Sequence, residues 1–226
     1  MAEACRQEEE KVTGDVVIDD RLGILLGQLD GAWEMLDASL TGRRPFQGES
    51  GREDTNLTDE EFFWEPAPGC WSLRCREHAI TTNPIGKGNW VLDGESPEPQ
   101  TPQLTTIAWR MCHICLSPLQ RYDYTFGSHS LTPDDITWPS TARDAFGFLR
   151  KSQGRWRTAL EGIASAELDQ VGRSQNPYGL DPRIRFVDLL AWTNLEFAHH
   201  AAEIACLRDV YRACFQPPAS EPSGRS

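Results

Sequence analysis

The residues best suited to chemistry lie in one stretch, Arg183 to Arg212, which reads RIRFVDLLAWTNLEFAHHAAEIACLRDVYR. Wound as a helix at about 100° per residue, Phe186, Leu189, Thr193, Glu196, His200, Ile204, Leu207 and Tyr211 fall within roughly 40° of one line. A carboxylate and an imidazole therefore stand in the middle of a mostly apolar stripe that must face a core. A buried ionised carboxylate persists only with a proton, a counter-charge or a metal to compensate it. Glu196 and His200, one turn apart, can reach a common ion. The pair can equally satisfy itself without one, as a charged imidazole bridging to the carboxylate.

His113 bears on that choice. It lies in the middle of a second helical segment, IAWRMCHICLSPLQRY, beside Trp109 four residues earlier. A bundle can bring side chains of facing helices onto one ion. Two imidazoles and one carboxylate, His113, Glu196 and His200, would leave a further position open, the arrangement of a catalytic divalent centre. His199 and Glu203 form a rival pair on the same helix. His199 points about 100° away from the stripe, toward an interface or a substrate. Glu203 lies about 60° away, placed either to orient His200 or to act as an acid/base group. Trp71, Trp90 and Trp109 are candidates for an apolar substrate pocket, although Trp more often fills a core. Cys112 and Cys115 flank His113, which invites a redox or metal reading. Cysteines in the middle of a helix are more often small core residues. Cys70 and Cys75 could complete a zinc cage only without the usual paired CxxC spacing. No phosphate-binding glycine loop, nucleophile elbow or HExxH motif occurs.

These groups need elements to position them, and the periodicity supplies four. Ile18, Leu22, Leu25, Leu26, Leu29, Trp33, Leu36 and Leu40 recur at helical spacing and predict a helix from about Val17 to Leu40. A short helix follows Thr58, whose cap Glu61 would complete reciprocally. Thr105 is the expected cap of the helix bearing His113, with Pro118 kinking or ending it. Asp123 to Trp138 reads as a loop. Ser140 and Thr141 then precede a helix over about Ala142 to Ala164. Pro182 positions the last helix. The stretch from Gly69 to Pro102, rich in Gly, Pro, Asn and Trp, has no period and reads as a long cap or binding loop. The expected fold is all-α, an antiparallel four-helix bundle with long crossovers over residues 17–215. A disordered acidic segment (1–16) and a Pro/Ser-rich tail (216–226) should flank it.

Composition narrows the function classes. The 226 residues carry a net charge of −12, so nucleic acid and anionic membrane surfaces are unsuitable partners. No apolar run is as long as a membrane span, and MAEACRQEEEK lacks the basic-then-apolar pattern of a secretory leader. Seven cysteines, an odd number, fit reduced thiols. A cytoplasmic protein acting on a small molecule is expected.

Three segments together, LTDEEFFWEPAPGCWSLR (57–74), TTIAWRMCHI (105–114) and WTNLEFAHHAAEIACLRDVY (192–211), resemble the DinB-like superfamily, in particular its actinobacterial branch. The resemblance covers roughly residues 17 to 214. It implies a four-helix bundle with a divalent metal held by one histidine on the second long helix and two on the fourth. His113 and His200 match two of these positions; Glu196 stands at the third, which makes the site harder and more anionic. Relatives of this kind include thiol S-transferases that use mycothiol or bacillithiol, and mycothiol-dependent isomerases. The resemblance thus implies bound Zn²⁺ or Ni²⁺, a low-molecular-weight thiol such as mycothiol as cosubstrate, an electrophilic second substrate, and a homodimer. Two other functions fit the same residues: a non-catalytic metal-binding or regulatory scaffold, and a metal-dependent hydrolase or isomerase with Glu203 as base.

Overall fold

A computed structural model describes residues 20–46, 55–94, 103–174 and 183–215. The expected N-terminal lead-in and C-terminal tail, with Val17 and Ile18 of the first helix, lie outside the described residues. The long helices are α1 (Arg21–Thr41), α3 (Ile107–Phe126), α4 (Ala142–Glu161) and α6 (Phe186–Phe215); α2 (Asp59–Phe62) and α5 (Ser165–Leu168) are single turns. α3 packs along α4 and α1 along α6, while α6 also meets α3, closing an antiparallel four-helix bundle. Leu36, Leu40, Met111, Phe146, Leu149, Phe186 and Ile204 are sealed in its core. Each such side chain contributes about 1.5–3 kcal/mol by leaving water.

The helix starts follow side-chain chemistry. Thr141 Oγ1 accepts from Asp144 N at 3.1 Å and starts α4 at the expected place. α3 is capped one residue later than expected, by Thr106, whose Oγ1 accepts from Trp109 N at 3.1 Å. α3 also runs straight through Pro118 to Phe126, four residues into the expected loop. The missing N–H at Pro118 costs about 3 kcal/mol. Burial of Ile114, Cys115 and Pro118 itself against the bundle holds the helix together across that gap. At α2, Thr58 accepts from Glu61 N at 3.2 Å, but the Glu61 carboxylate does not return to the cap. It turns inward to Arg208, which is fully buried. Arg208 Nε and Nη2 donate to Glu61 Oε1 and Oε2 at 2.7 and 3.1 Å, Nη2 also donates to Asn56 at 2.9 Å, and Nη1 donates to Ser39 O. A buried guanidinium commands more binding energy than a cap, so the carboxylate goes there.

The stretch expected to be without regular structure holds a small antiparallel hairpin, β1 (Leu73–Cys75) and β2 (Trp90–Leu92), with Leu73 opposite Leu92 and Cys75 opposite Trp90. Strands of three residues are too short to show alternation in sequence. Ahead of β1, Trp71 N donates to Leu104 O at 2.8 Å and Thr106 N returns to Trp71 O at 2.9 Å. Asp93, fully buried beyond β2, accepts from Ser72 N at 2.9 Å and Arg74 Nε at 2.8 Å. Its own carbonyl accepts the Trp109 indole N–H at 2.8 Å. The hairpin therefore clamps the first turn of α3, one turn before His113.

Candidate metal centre

His113 comes from α3, and Glu196 and His200 from one face of α6, where the two helices meet. The Oε1 atom of Glu196 lies between two imidazoles, 2.9 Å from His200 Nε2 and 3.5 Å from His113 Nε2. The two rings meet edge to face, with centroids 4.7 Å apart. One ligand atom from each of the three residues falls within 4.8 Å of the others. Donors about 2.0–2.1 Å from a tetrahedral ion stand about 3.3 Å apart. The two observed separations bracket that figure and the two imidazole nitrogens lie within 4.8 Å of each other, so the three groups could hold a divalent cation.

The surroundings fix each ring. Trp109 stacks on His113, rings 13° from parallel at 4.5 Å, and is itself tied to the Asp93 carbonyl. Behind His200, Glu203 Oε2 lies 2.5 Å from Nδ1. With a carboxylate against each ring nitrogen, the metal-free ring donates from Nδ1 to Glu203 and from Nε2 to Glu196. Loss of the Nε2 proton would leave a lone pair there for a cation while Glu203 still holds the ring, the arrangement that orients metal-binding histidines. Arg110, one turn before His113, reaches the same corner: its Nε is 3.1 Å from Glu203 Oε2 and its Nη1 is 3.1 Å from His200 Nδ1.

The charges balance only with help. Glu196 and Glu203 carry two negative charges against the single positive charge of Arg110, leaving one for a proton on His200 or for a cation to offset. The protonation preferences follow. Burial draws His113 below its ordinary value, with His200 and Arg110 adding to the effect and Glu196 opposing it. Burial alone would lower His200 too, but the hydrogen bonds to Glu196 and Glu203 outweigh it and raise the group. Hydrogen bonds from His113 and His200 hold the Glu196 carboxyl far below the ordinary range. The site thus offers one neutral imidazole, one anionic carboxylate, and one imidazole whose proton leaves when a cation enters.

Beside the trio opens a cavity of about 420 Å³ walled by His113 and Glu196, by Leu29, Ile114, Trp156, Trp192 and Phe197, and by the polar Gln120, Arg121 and Gln153. The residues expected to shape a pocket lie elsewhere. Trp71 leans on Trp109 at 6.0 Å, and neither lines this cavity. Trp90 stacks on Phe63 at 5.6 Å in the hairpin. His199 is 62% exposed, with Nε2 3.2 Å from Glu203 Oε1. With His200 they form a second possible ligand group. The thiols of Cys112 and Cys115 are buried, which raises the first and pushes the second up to about 12. They are core groups, and all six described cysteines are free.

Sequence reasoning missed Arg110 and the polar floor of the cavity. Arg110 precedes His113 by three residues, so it shares a face with the ligand, and that spacing could have found it. The cavity itself has no signal in one dimension.

Among curated proteins and among solved structures, no chain matches this one. A family model described as the DinB superfamily does match, over residues 55–204. That span takes in the hairpin clamp, α3 with His113, α4, and α6 through His200, and so this chain belongs to the DinB superfamily.

Proposed function

We propose that this protein is a divalent-metal-dependent enzyme in which His113, Glu196 and His200 hold Zn²⁺ or Ni²⁺ and a low-molecular-weight thiol, such as mycothiol, is transferred to a small electrophile. The DinB superfamily includes metal-dependent enzymes, which supports the general class. The observation that carries the reading is the single carboxylate oxygen set between two imidazole nitrogens, with His113 and Glu196 lining a cavity of mixed, mostly apolar walls. Two imidazoles and a carboxylate suit borderline cations of this kind.

When bound, the cation would make a coordinated thiol acidic enough to be a thiolate near neutral pH. The chain supplies the rest. Glu203 holds the His200 proton at Nδ1, so that Nε2 presents a lone pair. Burial keeps His113 neutral for the same purpose, and Trp109 fixes its plane. Leu29, Trp156, Trp192 and Phe197 shield the electrophile from water while sulfur attacks its carbon and the leaving group departs. Glu203 is already engaged with His199, His200 and Arg110, which favours an orienting role over that of a general base.

Mass spectrometry of the purified protein is expected to find close to one divalent ion per chain after incubation with Zn²⁺ or Ni²⁺. The metal-loaded protein should accelerate reaction of a small thiol with monobromobimane, forming a sulfur–carbon bond and releasing bromide. Chelation should abolish the acceleration. No metal uptake, or a rate indifferent to metal, would overturn the proposal.

A further inference from the structure

The far end of the cavity is built for an anion. Arg121 is 4% exposed, and among the described residues its guanidinium donates to a neutral acceptor, the Ser174 carbonyl, at 2.8 Å. No carboxylate among the described residues pairs with it. Burial pushes the group down to about 10, the mark of a cation short of compensation. Beside it, Gln120 Nε2 and Gln153 Oε1 are buried with no hydrogen-bond partner among the described residues, in residues 7% and 6% exposed. All three line the cavity that His113 and Glu196 line at its other end. Orphaned buried polar groups are rare because each forfeits about 1–3 kcal/mol. Here a cation without a described counter-charge, a donor and an acceptor stand together, the last two unmatched among the described residues.

Gln120 and Arg121 follow His113 by two helical turns, a rise of about 10–12 Å. The walls between are largely apolar and aromatic, with Ser117, Thr193 and Asn194 among them. We propose that the cavity binds an elongated apolar molecule ending in a carboxylate, with a hydroxyl or N–H group next to it, and that this end anchors the electrophile whose other end faces the metal ligands. The carboxylate takes the Arg121 charge and the Gln120 amide N–H; the neighbouring hydroxyl or N–H donates to Gln153 Oε1. This inference rests on the reading of His113, Glu196 and His200 as the reacting end.

The probes are 4-phenylbutyrate, 2-hydroxy-4-phenylbutyrate and 4-phenylbutyramide, titrated by calorimetry into the full chain, both metal-free and zinc-loaded. The acid is expected to bind about tenfold or more tightly than the amide, and the hydroxy acid more tightly still. Arg121→Met should erase the preference of acid over amide, and Gln153→Leu the gain from the hydroxyl, with folding checked by circular dichroism. Gln153→Leu tests the idea alone if Arg121→Met does not fold. Equal binding of acid and amide, no binding of either acid at millimolar concentration, or a folded variant that behaves like the parent would overturn the proposal. Acid preference in a protein that takes up no metal would sink the enzymatic reading and leave the anchor standing. Metal uptake without acid preference would do the reverse.

Discussion

Glu61 and Glu196 both meet cationic or polar partners within the bundle, and the two places are built differently. At Glu61 and Arg208 the side chains are 2% and 0% exposed, two parallel hydrogen bonds join them, and Asn56 and Ser39 accept two more from the guanidinium. Both carboxylate oxygens are engaged. At Glu196 the carboxylate is 32% exposed, one of its oxygens is shared by two imidazoles, and a cavity opens alongside. The first is closed by charge and geometry and holds α6 to α2 and α1. The second is one positive charge short and open on one side. A buried acid marks structure when its partners saturate it, and a site when they do not.

The largest effect should come from breaking the closed pair. Arg208→Met leaves Glu61 buried and uncompensated, at a cost of about 3–5 kcal/mol in denaturant unfolding. Adding Glu61→Leu should recover much of that loss. Neither change should alter the metal stoichiometry of the molecules that remain folded.

The open site should respond the other way. Glu196→Gln is expected to weaken zinc binding by more than the roughly 100-fold that loss of an orienting residue can produce, because it removes a charged ligand. Unfolding midpoints of the metal-free protein should move little, since the pairs lost are partly solvated. Competition with a chromophoric chelator reads the affinity. Glu203→Gln keeps an acceptor for His200 Nδ1 but loses the charge, and about 10- to 100-fold in affinity is expected.

The smallest effect is that of pH. His200 is raised in the folded chain above its ordinary 6.5. Its pairing with Glu196 and Glu203 therefore stabilises the metal-free protein fully below about pH 6.5 and is lost as pH climbs through the higher folded value. Metal must displace that proton, so zinc affinity should rise with pH over the same window, by about tenfold per unit at most, and then level off. His200→Gln should flatten the pH dependence of metal-free stability there, measured by denaturant midpoints from pH 6 to 8. A slope that survives in the variant would assign the titration to another group.

How far the sequence reaches can be judged residue by residue. The faces of α6 were legible, since a period of 3.6 puts Glu196 and His200 on the line of Phe186, Leu189 and Ile204, all of which are buried. Arg208 was not, because it lies on the second buried face of the same helix, with Leu190, Asn194, Phe197 and Ala201, where an arginine reads as solvent-facing. Thr58, Thr106 and Thr141 cap within a residue of expectation because capping is local. Pro118 misled for the complementary reason: its local preference lost to packing from another helix.

The sequence by itself determined the long helices, their caps, and the presence of an acid and imidazoles at core-facing positions, because periodicity and capping depend only on neighbours along the chain. Only the tertiary structure decided that His113 shares a carboxylate oxygen with His200, that Glu203 and Arg110 stand behind the ring, and that a cavity runs from there to Arg121. Those relations join α3 to α6 across about 80 residues of chain. Distances of that kind are set by how whole helices pack, which no local pattern encodes.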